Sequence, residues 1–397
     1  MIPVAEARAR ILKGFAPLGA ETVPLAAAHG RTLAVDLRAR LTQPPFPVSA
    51  MDGYAVRAAD IAAAPARLTM IGSAPAGRMF DGSVGPGQCI RIFTGAVVPP
   101  GADTILIQEN ATADGATITA LQAEPQGRYV RPAGLDFREG EIAIRAGTTL
   151  DARHVGLAAA TNHAWLEVRR RPRVAILSTG DEIVLPGTQP APGQIVSSNG
   201  PALAAFVAEA GGRPVMLPIA PDDTNALQAI AEGARGCDLL VTSGGASVGD
   251  HDLVRDALGA KGLELDFWQI AMRPGKPLMF GRFGDVPLLG LPGNPVSSLV
   301  CAVLFLGPAL ATMLAKREVG PKIERAELGC DLPANDRRED YLRATLERQP
   351  DGRLVVTPFG KQDSSMMALL ASADALAIRP SNAPAAQKGE PIEIVRL

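Results

Sequence analysis

Cysteine is scarce. Cys89, Cys237, Cys301 and Cys330 lie scattered along 397 residues, with no CxxC pair and no histidine at ligand spacing. This argues against a zinc site and against a disulfide framework. The four histidines (His29, His154, His163, His251) form no HExxH, and no serine sits in a nucleophile elbow, so a hydrolase triad has no support. Neither sign of charge is in excess: 39 Lys and Arg face 41 Asp and Glu, for a formal charge of -2. A basic nucleic-acid footprint is therefore missing, although a small anion needs only a local patch. There is no GxxxxGK[ST] loop and no GxGxxG at a strand end, which excludes a P-loop kinase and a simple dinucleotide fold. The first residues mix Glu6 with Arg8 and Arg10 and hold no continuous apolar run. The expectation is a soluble cytoplasmic protein without a signal peptide or a membrane partner. One uncharged stretch, 297–315, nearly reaches bilayer length. It contains Gly307 and Pro308, stands alone, and reads as a buried core helix.

What is present is enough to fold. Apolar residues reach 47% and charged residues 20%, with 41 glycines and 34 prolines to make turns. At roughly 150 residues per domain the length suggests two to four domains. Residues 3–14 read as a helix with Val4, Ala7, Ile11 and Leu12 on one face, and 25–39 reads as a second helix. The proline-dense segment 42–56 must be irregular. From 66 to 146 short β-like runs separated by glycine suggest a small barrel or sandwich. From Arg173 onward strands and helices alternate, the mark of a doubly wound α/β domain with a largely parallel sheet. The last part returns to β-like runs around one helix near 365–371.

In such a sheet ligands sit beyond the carboxyl ends of the strands. Unusual residues gather there. VAILSTGDE delivers Ser178, Thr179, Asp181 and Glu182. DLLVTSGGASVGDHD delivers Ser243, Gly244, Gly245, Ser247, Asp250 and Asp252, and LLGLPGNPVSS delivers Gly293, Asn294 and Ser297. Glycines let backbone approach an anion, and amides at helix starts with serine hydroxyls bind phosphate-like groups. MRPGKP adds Arg273 and Lys276 as a local cation pair. Glu182, Asp222, Asp223, Asp250 and Asp252 could hold magnesium beside the phosphates. Singly, each of these also reads as a turn or a helix cap, and their coincidence at successive strand ends favours anion binding. Asp52 before Gly53 is equally how a turn is written, and Thr94 beside a glycine reads alone as structural.

Taken together, PPFPVSAMDGYAV, IFTGAVVPPGADTILIQE, ILSTGDEI, TSGGASVGDHD, MRPGKPLMFG and GLPGNPVSS resemble the molybdopterin molybdenumtransferase family, which is similar to the E domain of gephyrin. The resemblance runs in order over essentially the whole chain. It implies a multidomain α/β plus β protein: an elongated linker domain from 1–45 and 136–172, an inserted β-rich domain at 46–135, a doubly wound molybdopterin-binding-type α/β domain at 173–316, and a C-terminal β-barrel at 317–397. It also implies a homodimer whose cleft lies between the α/β domain of one subunit and N-terminal domains of the other. The implied reaction takes adenylylated molybdopterin and molybdate: molybdenum enters the dithiolene, the pyrophosphate linkage is cleaved and AMP leaves.

On that basis Arg273, Ser247 and Ser297 are expected to hold molybdate. Glu182, Asp222 and Asp252 would position magnesium and the phosphates, with Asp52, Thr94 and Asp136 contributed across the dimer. Ser243, Gly244, Gly245, Lys276, Gly293 and Asn294 complete the expected substrate site, and Ser364 or Ser365 a further contact. One departure is Gln269 after Trp268, where the family commonly carries lysine; at 273 it carries lysine or arginine. Rival readings are a molybdopterin adenylyltransferase, which resembles only the α/β domain, and a gephyrin-like scaffold without catalysis. Contact with other proteins of the same pathway is a further expectation.

Overall fold

VAILS and LLVTS are apolar almost throughout, the pattern of strands covered on both faces. In the computed structural model, which describes residues 1–244, 258–259 and 263–397, they become the adjacent parallel strands Arg173–Ser178 and Leu239–Ser243. The sheet runs Arg213–Met216, Arg173–Ser178, Leu239–Ser243, Val286–Leu291, Pro277–Phe283, Leu263–Gln269. The first four strands are parallel, and a hairpin and its neighbour extend the sheet antiparallel. Helices cover both faces: Asn199–Glu209 packs Leu203 and Val207 on one side, and Thr224–Ala231 packs Leu227 and Ala231 on the other. Asp223 caps the latter through a 2.8 Å bond from the Ala226 amide, as its position before an apolar run suggests.

The apolar stretch is a core helix. Pro295–Met313 has a mean hydropathy of 2.0, and 78% of its most apolar window is buried inside the fold. A π-turn at Ala302–Leu306 widens the helix just before Pro308, whose ring lacks the N–H that an α-turn would use. Helix Val4–Lys13 buries Val4, Ala7 and Ile11, at the spacing expected. It packs in the α/β core with Phe280, Leu310 and Met313, although its place in the chain assigned it to the linker region.

The second expected helix, 25–39, does not form. Gly30 adopts φ +72°, which breaks the helical path after the short turn Leu25–Ala27. Beyond it Thr32 and Leu33 bridge to Thr149 and Val168, and Leu37–Arg38 pairs with Ile142–Ile144. Leu33 and Leu37 thereby join Ile144, Leu150 and Leu166 in one buried cluster.

The β-rich part is a six-stranded sheet in the order Thr104–Ile107, Gly53–Val56, Gln88–Ile92, Ala66–Ala74, Thr117–Ala120, Ala111–Asp114. Gly53 opens its strand there, and a Cβ at that position would lie 2.1 Å from the Leu106 carbonyl oxygen. The MDG sequence is therefore a close approach of two strands. Gly53→Ala is expected to destabilise the fold by about 1–3 kcal/mol, read as a lower midpoint in urea with an unchanged slope.

The C-terminal part is a closed five-stranded barrel. Ile323–Leu328, Glu339–Arg348, Leu354–Pro358, Ala375–Arg379 and Pro391–Arg396 pair in a ring, closed by Glu339–Arg348 against Ala375–Arg379. The short strand Met272–Arg273 from the α/β part adds itself to this barrel.

Candidate active site

The strand order reverses beside Arg173–Ser178, so a crevice opens beyond its carboxyl end. Register sets Ser178 opposite Ser243 and Ser243 opposite Leu291, bringing three post-strand loops together. A cleft of about 960 Å³ lies there. Of the expected residues, Glu182, Asp222, Ser243, Gly244, Gly293, Asn294 and Ser297 line it. Gly244 has φ +96°, and a Cβ on it would stand 2.7 Å from the Thr179 carbonyl oxygen. Gly293 approaches from the other side, where a Cβ would lie 3.5 Å from the Gly244 Cα. Only glycine fits both the conformation and the approach at 244.

Two helices start at this cleft. Asn199–Glu209 begins after Ser198, and Pro295–Met313 after Asn294; neither preceding residue caps with its side chain. Their N-terminal ends favour negative charge. The barrel also reaches in: Asn294 Nδ2 donates to Ser364 Oγ at 2.9 Å, the Val296 amide donates to the Ser364 carbonyl at 3.1 Å, and Ser365 lines the cleft.

The acidic pair is held by its loops. The Asp222 amide donates to Asp181 Oδ1 at 2.9 Å, tying two post-strand loops together. Glu182 folds back over Gly180, where a Cβ would stand 2.5 Å from its carboxylate. Among the described residues no group of three or more His, Cys, Asp or Glu side chains could hold a metal. Two exposed carboxylates nevertheless match magnesium, which is usually held by one or two carboxylates together with substrate phosphates. Asp252, Gly245 and Ser247 lie outside the described residues.

Arg273 is placed elsewhere than expected. Its guanidinium forms a two-pronged pair with the buried Asp340 (Nε–Oδ1 2.9 Å, Nη2–Oδ2 2.7 Å), and Nη1 stands 4.0 Å from Asp336. It ties the α/β part to the barrel and is not among the residues that line the cleft of this chain. The reason is local: its strand pairs with the start of Glu339–Arg348. Lys276, from the same loop, is half-buried and its ammonium has no partner among the described residues.

A second cluster forms in the β-rich part. Asp52 Oδ1 accepts from the Thr94 amide at 2.7 Å and from its hydroxyl at 2.8 Å. These two bonds hold the Asp52 carboxyl below its ordinary value, the amide contributing most, with Arg91 adding its charge. Arg91 itself stacks over Tyr54 and Phe93 and donates to Gln108 Oε1 at 2.7 Å. Since the folded pKa is depressed, the contact is present above the unfolded pKa and is lost as pH falls through the folded one. Thr94→Val removes the hydroxyl and keeps the amide, so the Asp52 carboxyl resonance is expected to titrate at higher pH in a carbon-13 NMR titration. Asp136 is exposed, its amide bonded to the Gln43 carbonyl at 3.0 Å, and it too lies off the cleft.

Two residues here carried no sequence signal as site residues. Asn199 sits in the first helical turn and bridges Ser243 and Gly293. Arg343 is 1% exposed, with Nη1 3.3 Å from the Met366 carbonyl and Nη2 unpartnered, beside the loop that carries Ser365. Its position in an ordinary alternating strand gave no hint of burial.

The fold and cleft define a multidomain α/β protein with a strand-end ligand cleft whose chemistry suits anions. Comparison with known proteins agrees. Residues 2–161 match the MoeA N-terminal region (domain I and II), 175–312 a probable molybdopterin binding domain, and 325–397 the MoeA C-terminal region (domain IV). The chain is similar to a molybdopterin molybdenumtransferase of a Nostoc species, 36% identical over 95% of this chain and 88% of the relative. It is 37% identical to molybdopterin molybdenumtransferase 2 of Mycobacterium tuberculosis over 94% of both chains. A crystal structure of the MoeA molybdopterin biosynthesis protein of Pyrococcus horikoshii superposes with a TM-score of 0.85 at 31% identity, covering 100% of this chain and 99% of that one. The chain belongs to the molybdopterin molybdenumtransferase (MoeA) family.

Proposed function

We propose that this chain inserts molybdenum from molybdate into adenylylated molybdopterin and releases AMP. At the coarser level, family membership makes it a transferase of molybdenum cofactor biosynthesis. The observation that carries the finer reading is the cleft. It joins two carboxylates, two helix starts and a glycine cradle at the ends of adjacent strands, and Pro277, which follows Lys276 in the chain, also lines it.

The roles follow from what each residue can do. Gly244 and Gly293 let backbone approach the pyrophosphate, and Ser243 and Ser297 supply hydroxyls to it and to molybdate. Lys276 offers positive charge to the oxyanion. Glu182 and Asp222 would hold magnesium, which when bound neutralises charge developing at the pyrophosphate oxygens. Among the described residues no side chain is activated as a covalent nucleophile, so positioning and charge are the catalytic means.

Asp52, Thr94 and Asp136 lie off the cleft of their own protomer. They belong in this reading to the cleft of a second copy. Support comes from exposed apolar side chains at both places: Met51 and Phe93, which directly precede Asp52 and Thr94 in the chain, and Ile195 and Val196, which line the cleft. Apolar patches of this kind mark association surfaces, and in a homodimer one copy's patch meets the other's. The four-part division stated from the sequence is part of the same reading: the linker, β-rich and barrel parts each have a buried cluster of their own, while the α/β cluster also takes in Val4, Ala7 and Ile11 from the first helix and Tyr341, Leu376 and Val395 from the barrel.

Purified protein supplied with magnesium, molybdate and adenylylated molybdopterin is expected to release AMP and yield active cofactor. Consumption of ATP with unadenylylated molybdopterin would instead make it the adenylyltransferase. Stable pterin binding with neither reaction would favour a scaffold.

A further inference from the structure

Ser243 ends its strand at the floor of the cleft and is 3% exposed. Its Oγ accepts a hydrogen bond from Asn199 Nδ2 at 2.8 Å, and its own proton has no acceptor among the described residues. The same Asn199 nitrogen donates to the Gly293 carbonyl at 2.7 Å. A serine hydroxyl has one proton and two lone pairs. With Asn199 donating from behind, the Ser243 proton is left to point elsewhere. Beside it Thr179 is 5% exposed, and its Oγ1 also has no partner among the described residues, against a general rule that buried hydroxyls are satisfied. This hydroxyl lies 2.9 Å from where a Cβ on Gly244 would stand, so the glycine keeps the space beside it open.

We propose that Asn199 is a positioning residue: its amide fixes the Ser243 hydroxyl as a hydrogen-bond donor to a phosphoryl oxygen bound in the cleft, with Thr179 as the second hydroxyl. The identity of that phosphoryl group, the nucleotide half of the substrate, rests on the function proposed above. The local chemistry selects an anion over a neutral carbonyl, because two helix N-termini start at the same cleft. Asn199 acts through Ser243, so its effect must vanish when that hydroxyl is gone. Asn199→Asp makes residue 199 an acceptor, which turns the Ser243 proton away from the ligand.

The test is calorimetric binding of AMP to the full chain in four forms: parent, Asn199→Ala, Ser243→Ala and the double variant. Each single change is expected to weaken AMP about tenfold, the worth of one hydrogen bond to a charged group. The double variant is expected to be no weaker than the worse single, and Asn199→Asp weaker than Asn199→Ala. Additive losses would overturn the proposal, since Asn199 would then act through Gly293 or the fold. Should the variants at 199 fail to fold, Ser243→Ala alone decides: unchanged AMP affinity with an unchanged melting temperature overturns it. A parent that does not bind AMP at millimolar concentration also overturns it. Coupled losses in a protein that inserts no molybdenum would leave this inference standing and remove the proposed reaction.

Discussion

Glu182→Gln is expected to lower kcat for molybdate-dependent AMP release by roughly 100-fold, with a raised magnesium requirement and an unchanged melting temperature. Glutamine keeps the shape and removes the charge. Glu182 is exposed and makes no side-chain bond among the described residues, so the fold has little to lose. Asp222→Asn should behave alike, because its position is set by its own amide bonded to Asp181, which the substitution leaves in place. If the two carboxylates act as one unit on one ion, the double variant is not much worse than either single. Independent losses that multiply would mean separate roles. An unchanged kcat in Glu182→Gln would remove it from the chemistry.

The second large effect is complementation. Asp52→Ala and Glu182→Gln should each be nearly inactive alone, and a mixture reassembled from unfolded chains should regain about a quarter of parental activity. The figure follows from a dimer with two shared clefts. Random pairing makes half of the dimers mixed, and a mixed dimer places both substitutions in one cleft and leaves the other intact. Activity that stays at the level of the single variants contradicts a cleft built from two copies. The geometry motivates the experiment: Asp52 is paired with Thr94 in the β-rich part and does not line the cleft where Glu182 stands.

Much of this was legible in the sequence. The parallel core strands were, because VAILS and LLVTS are too apolar for any but a doubly covered position. The strand-end residues were, because a parallel sheet collects its loops at one edge. Pairing between distant segments was not. Asp52 and Thr94 are brought together only by the adjacency of their strands. Arg273 carried the composition of an anion contact, and its use as a tether depends on a strand pairing with residues 339–340. The second expected helix failed for a related reason. Leu33 and Leu37 are spaced four apart, as on a helix face, yet Gly30 breaks the path and partners more than a hundred residues away claim both leucines. Asn199 illustrates the same limit: its type suits a helix start, and its two acceptors come from a strand end 44 residues and a loop 94 residues further on.

The most direct test of the central claim is the ratio of molybdenum incorporated to AMP released when adenylylated molybdopterin and magnesium are held constant and molybdate is varied. The account expects one molybdenum atom in the product for each AMP, with no AMP released when molybdate is withheld. AMP released at the same rate without molybdate would show a simple pyrophosphate hydrolase and contradict it.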